Sequence, residues 1–188
     1  MNLSEVITDL ESTEIQGFFA RMCARRLEVL HLPRDLSHQD PDAFQKTLRT
    51  LLSRLLARHS ADLMANMHDE LLKDEPKEIT DFLEAQLAKC NPDAVVHRED
   101  WRFPDRADGR DQTRLVHVAL RNKTVETVEV AGCFDRGGRW VGNAIMEALN
   151  QALERRESDV KHLFERYPVA PVTPADREEL LERIRALR

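Results

Sequence analysis

Residues 113–131 read Thr-Arg-Leu-Val-His-Val-Ala-Leu-Arg-Asn-Lys-Thr-Val-Glu-Thr-Val-Glu-Val-Ala. β-branched and apolar residues alternate with polar ones on both sides of Arg121-Asn122-Lys123. That period of two, broken by an Asn-containing turn, predicts a hairpin with strands over 113–120 and 124–131. Valines fall on both faces, which calls for cover on both sides. Upstream, Val95, Val96, Trp101 and Phe103 predict a first strand over 94–103, followed by a polar loop over 104–111. The three strands together form an antiparallel meander.

Outward from this meander the spacing lengthens to that of helices. Ile15, Phe18, Phe19, Met22, Cys23, Leu27 and Leu30 recur at helical spacing, with Pro33 as the stop. Asp40-Pro41 is a cap and first-turn pair. It opens a long helix with Phe44, Leu48, Leu51, Leu52, Leu55, Leu56, Leu63, Met67 and Leu71 along one broad stripe. Pro76 ends that helix and starts another, carrying Ile79, Phe82, Leu83 and Leu87, which Asn91-Pro92-Asp93 closes. After Gly137-Gly138 a helix over 142–156 buries Ile145, Leu149 and Leu153, and a further piece runs over 160–166. Thr173-Pro174-Ala175-Asp176 resembles a capping box before a last helix with Leu180, Leu181, Ile184 and Leu187. No internal repeat is legible. The expectation is an α+β fold: a helical region over 1–75, an αβββα core over 76–167, and a C-terminal helix over 168–188. The two N-terminal helices should pack together and offer apolar surface to a protein partner or a second copy.

Composition narrows the functional classes. Of 188 residues, 41% are hydrophobic, enough for one well-cored domain. No segment approaches the ~18 apolar residues of a membrane span, and Met1–Leu10 lacks a secretory pattern, so a cytoplasmic setting is expected. Cys23, Cys90 and Cys133 are far apart and without a Cys-x-x-Cys pair, which argues against a cysteine-built metal or redox site. The 28 basic and 34 acidic side chains leave a net charge of −6, unlike a dedicated nucleic-acid coat.

The order helix, three strands, helix from Lys77 to Leu153 resembles the core of the PD-(D/E)xK, or restriction-endonuclease-like, superfamily. Lys77-Glu78-Ile79-Thr80-Asp81-Phe82-Leu83 looks like that family's glutamate-bearing helix. Val128-Glu129-Val130-Ala131 resembles its Glu-x-Lys strand, and Ala148-Leu149-Asn150-Gln151 its glutamine-bearing helix. The resemblance implies Glu129, Asp111, Glu78 and Gln151 as catalytic positions, with Glu129 and Asp111 holding a divalent metal, usually Mg2+, that activates water. The pattern departs from the family at two places. Ala131 stands where the family has its lysine, and Arg114 falls near the expected aspartate. If Leu120 pairs with Val125, a regular ladder sets Arg114 diagonal to Glu129, poised to occupy the metal's place. The resemblance therefore implies a degenerate site, or one in which the lysine at Ala131 has been replaced by mutation.

Nucleic acid is the partner the resemblance brings with it. Arg98, Arg102, Arg110, Arg114, Arg136 and Arg139 are the candidate contacts, with Trp101 and Phe103 available for stacking. With acids interleaved, the same arginines also fit a solvated loop. Arg136-Gly137-Gly138-Arg139 fits an anion-binding turn or a loop that needs glycine. His97 and His117 read as structural histidines of strands. The competing reading is a non-catalytic protein–protein interaction module, an adaptor, inhibitor or chaperone-like protein.

Overall fold

The computed structural model describes residues 6–72, 105–122, 124–130 and 132–166, without the side chains of 67–72 and 163–166. Among them, β1 (Ile7–Ser12), β2 (Phe18–Cys23) and β3 (Arg26–His31) form one antiparallel sheet in that order. Helix α1 (Pro41–Leu72) follows. A second antiparallel sheet comprises β4 (Arg106–Arg110), β5 (Val116–Arg121) and β6 (Thr124–Val130), and helix α2 (Gly138–Arg166) follows it. The fold is mixed α and β, with two three-stranded sheets and two long helices among the described residues. No described helix is long and apolar enough to cross a membrane.

The N-terminal region is thus not helical over Ile15–Leu30. In β2 the buried residues Phe18, Ala20 and Met22 alternate as a strand requires. In β3 they do not: Leu27 and Leu30 are both buried, three positions apart. The ladder explains this. Arg21 pairs with Val29, but Met22 pairs with Leu27, so Glu28 is the extra residue of a β-bulge. A bulge inverts the parity of the strand and turns a period of two into an apparent helical three.

The second sheet repeats the device. Ala119 pairs with Thr127 and Leu120 with Val125, leaving Glu126 as the extra residue. Val125 and Val128 consequently face the same core as Val116, Val118 and Leu120. The hairpin's valines thus share one buried face, and the other face of the sheet carries His117, Glu129 and, from β4, Asp108. The first strand of this sheet is Arg106–Arg110, inside the stretch expected to be loop; the expected strand over 94–103 and the helix after Pro76 lie outside the described residues.

The two sheets match in further detail, although no repeat is legible in sequence. Each second hairpin is a two-residue turn, between paired Cys23 and Arg26 and between paired Arg121 and Thr124. Ala24 and Arg25 both have positive φ, 48° and 66°, and so does Asn122 at 53°. That is the left-handed backbone by which such turns match the twist of their strands. Each βββ sheet runs into one long helix, and the helices are exchanged. Helix α1 packs on β6 of the second sheet as well as on its own β1, and α2 packs on β3 of the first as well as on its own β4 and β5.

Third strands β3 and β6 are sheet edges whose outward backbone groups need partners. The helix of the opposite unit supplies them. The Asn150 side chain accepts from the Leu27 N–H at 2.8 Å and donates to the Leu27 carbonyl at 2.9 Å. On the other side, the Ser53 hydroxyl accepts from the Val125 N–H at 3.0 Å and donates to the Val125 carbonyl at 3.4 Å. Leu27 and Val125 each stand just before the bulged glutamate of their hairpins. Ser53 and Asn150 are equally placed in their helices. Gln45 of α1 adds an acceptor for the Val130 N–H at 2.8 Å.

The long helix from Pro41 matches expectation. The Asp40 carboxylate accepts from the Asp42 N–H at 3.1 Å, and Phe44, Leu48, Leu51, Leu52 and Leu55 are buried. These leucines share one core with Phe18, Met22, Leu27 and Leu30 and with Val116, Val118, Ile145 and Leu149, so both βββα units close over a single interior. Instead of two expected pieces, α2 is one helix. Gly109 lets it lie directly on β4: a Cβ there would stand 1.9 Å from the Ala148 carbonyl oxygen. At its start, a Cβ on Gly138 would meet the Pro33 carbonyl at 1.8 Å, while Gly137 has φ 79°. The paired glycines serve this close approach to the chain leaving β3.

Candidate functional site

Asp111 is buried, 4% exposed, in the tight loop between β4 and β5. Its carboxylate accepts from the Val116 N–H at 2.8 Å, the Thr113 N–H at 3.0 Å and the Thr113 hydroxyl. The Arg114 N–H donates to its carbonyl at 3.0 Å, and Arg114 turns the chain at φ 60°. Burial by itself would raise the Asp111 pKa. The Thr113 hydroxyl and the N–H groups of Val116, Thr113 and Leu115 outweigh it and hold the carboxyl below the usual range. Both oxygens are thus engaged in closing the loop.

Glu129 is exposed on the outer face of the second sheet. Because of the bulge it stands opposite His117, not diagonal to Arg114. Its carboxylate lies 3.2 Å from Nδ1 of His117, whose Nε2 lies 3.1 Å from Asp108. The expected pairing of Arg114 with Glu129 rested on an unbroken ladder, and the Glu126 bulge removes it. Gln151 uses its side-chain oxygen to accept from the Arg110 N–H at 2.8 Å, tying α2 to the end of β4. Arg136 lies over the Trp140 ring at 4.5 Å, and Arg110, Arg114 and Arg139 are exposed. Glu78, Arg98, Arg102 and Ala131 lie outside the described residues. Among the described residues no group of three or more His, Cys, Asp or Glu side chains could hold a metal ion.

An apolar concave feature lies elsewhere among the described residues. A groove of about 480 Å3 runs between the C-terminal halves of α1 and α2, closed at one end by the β2–β3 turn. Leu56, Leu63 and Met64 line it from α1, Leu153 and Val160 from α2, and Met22 from the sheet. Its walls are corresponding positions of the two helices: Leu56 and Leu153, His59 and Arg156, Leu63 and Val160 are separated by the same length of chain. Met64, 61% exposed, is one of the few large apolar side chains open to solvent among the described residues.

His59 anchors the α1 wall and is 2% exposed. Its Nε2 accepts from the Arg25 N–H at 3.3 Å, which leaves the proton on Nδ1 for Thr8 Oγ1 at 2.9 Å. The Thr8 hydroxyl in turn donates to Asp62 at 2.5 Å. Burial lowers the His59 pKa from its ordinary value, Asp62 opposes this, and Arg25 adds to it. This hydrogen-bonded chain fixes β1, the turn and α1 together. Sequence reading does not find it: nine residues from His68, His59 forms no metal pair with it and carries no other signal, and Thr8 falls in no predicted element. The charged rim is paired: Arg25 with Glu157 at 3.3 Å and Arg26 with Glu154. No family model, curated protein or solved structure matches the chain.

Proposed function

We propose that this chain is a non-catalytic protein-interaction module that seats an apolar segment of a partner in the groove between α1 and α2. The observation that carries the reading is the groove itself. It is concave, lined by leucine, methionine and valine, and framed by a rigid hydrogen-bonded wall at His59 and paired charges at its rim. Methionine at such a surface adapts to varied apolar shapes. Of the carboxylates that a nuclease-like centre would use, the two among the described residues are engaged otherwise, Asp111 in its loop and Glu129 with His117.

The test is selection of 12-residue peptides from a randomised display library on the full chain, with counter-selection on Met64→Asp. Met64 is exposed, so the substitution leaves folding intact while placing a charge in the groove. Peptides that bind the unmodified chain and not the variant are the expected result. In parallel, the chain is assayed for Mg2+- or Mn2+-dependent cleavage of single- and double-stranded DNA and RNA. Cleavage that Glu129→Ala abolishes would overturn the reading in favour of the nuclease-like one.

A further inference from the structure

Resting on that reading, we infer that the partner segment is a short amphipathic helix carrying one carboxylate, and that Arg156 is the residue that receives it. The inference begins from the charges that line the groove. Arg25 and Arg26 are each committed to a glutamate of α2, and both ring nitrogens of His59 are engaged. Arg156 differs. It lines the groove, is half-buried, and has neither an ion pair nor a hydrogen bond among the described residues. Burial lowers the pKa of its guanidinium, and among the described residues no carboxylate offsets that loss. A cation held in partly apolar surroundings without a counter-charge is uncomfortable in the free protein, and an arriving carboxylate relieves it through a charge-assisted, two-pronged contact.

Two further facts narrow the segment. The lining side chains carry three arginines against two glutamates, so one anionic charge completes the site. The whole chain carries −6, so a strongly acidic partner or a nucleic-acid backbone would be repelled overall. One carboxylate on an otherwise apolar face satisfies both conditions. The wall from Leu56 to Leu63 spans about 10 Å, two turns of a helix, which matches apolar residues at i, i+3 or i+4, and i+7 on the incoming segment.

The experiment uses the peptides selected on the full chain. A groove-binding pool should show apolar residues at helical spacing and one enriched Asp or Glu. Synthetic fluorescent versions of the best binders, each made with its acid and with the matching amide, are then titrated by anisotropy. The acid form should bind at least about tenfold tighter to the unmodified chain. Arg156→Gln should remove that difference by weakening only the acid form, and Arg156→Lys should keep part of it. Equal binding of acid and amide forms, or an unchanged preference in Arg156→Gln, overturns the inference and leaves the interaction reading standing. Failure to select any groove-dependent peptide overturns both, as does groove-dependent binding of dodecanoate without any peptide.

Discussion

Asn150 is the side chain on which the exchange of helices can be tested most directly. Asn150→Ala removes a 2.8 Å bond from the Leu27 N–H and a 2.9 Å bond to its carbonyl, and leaves two part-buried backbone groups at a sheet edge without partners. Each bond is worth about 0.5–1.5 kcal/mol net, and an orphaned buried group costs about 1–3 kcal/mol. Some water will reach the edge, so the expected loss is about 2–4 kcal/mol. Asn150→Asp refines the argument. The aspartate has nearly the same volume and still accepts from Leu27 N–H, but it turns an oxygen lone pair toward the Leu27 carbonyl. It should destabilise at least as much as alanine near neutral pH. Ser53→Ala, losing bonds of 3.0 and 3.4 Å, should cost less, about 1–2 kcal/mol. Urea titrations monitored by circular dichroism measure all three, with midpoints shifted and slopes unchanged. A loss under about 0.5 kcal/mol for Asn150→Ala, or a neutral Asn150→Asp, would refute the claim that the opposite helix completes the strand edge.

Other substitutions address single features. Gly109→Ala should destabilise by several kcal/mol or prevent folding, because the new Cβ meets the Ala148 backbone rather than a movable side chain; thermal melting would show it. Ala24→Gly should stabilise by about 0.5–1 kcal/mol by relieving the positive φ of the turn, read as a raised urea midpoint. His59 is neutral in the fold with a pKa below that of the unfolded chain. Its contribution is therefore complete above about pH 6.5 and declines as pH falls from there toward the folded pKa. Urea midpoints between pH 7.5 and 5 should drop in the unmodified chain, and that part of the slope should vanish in His59→Gln. Asp111 acts in the same direction at lower pH. Its depressed pKa supplies stability above about pH 4 that is lost on acidification, and Asp111→Asn should flatten that limb.

The parts of the fold that were legible in sequence are those governed by one uninterrupted period. Helix α1 follows from the leucine stripe after Asp40-Pro41, and β5 and β6 follow from valine alternation around Asn122. The first sheet was misread because the bulge at Glu28 puts Leu27 and Leu30 on one face at helical spacing. Its hairpin was hidden as well, since Ala24 and Arg25 adopt left-handed backbone without the glycine or asparagine that normally announces such a turn. The second bulge, at Glu126, reversed the expected neighbours of Glu129. The repeat escaped notice because it preserves roles and not letters. Serine and asparagine cap the same edge, while leucine and valine offer the same backbone groups. The groove was partly legible: Leu56, Leu63 and Leu153 were read as inward-facing, but nothing in their spacing says that two helices diverge there.

The exchange of helices has a consequence for how the chain comes apart. If α2 leaves β3, or α1 leaves β6, an open strand edge is exposed in the unit that kept its own sheet, which is a template for pairing with another molecule. Neither half therefore has a safe intermediate. The described residues should lose hydrogen-exchange protection in one step, without one sheet opening before the other. The same contacts could form between two separate copies of one βββα unit, each lending its helix to the other, as in a symmetric dimer. A single chain holding both copies keeps that arrangement at any dilution.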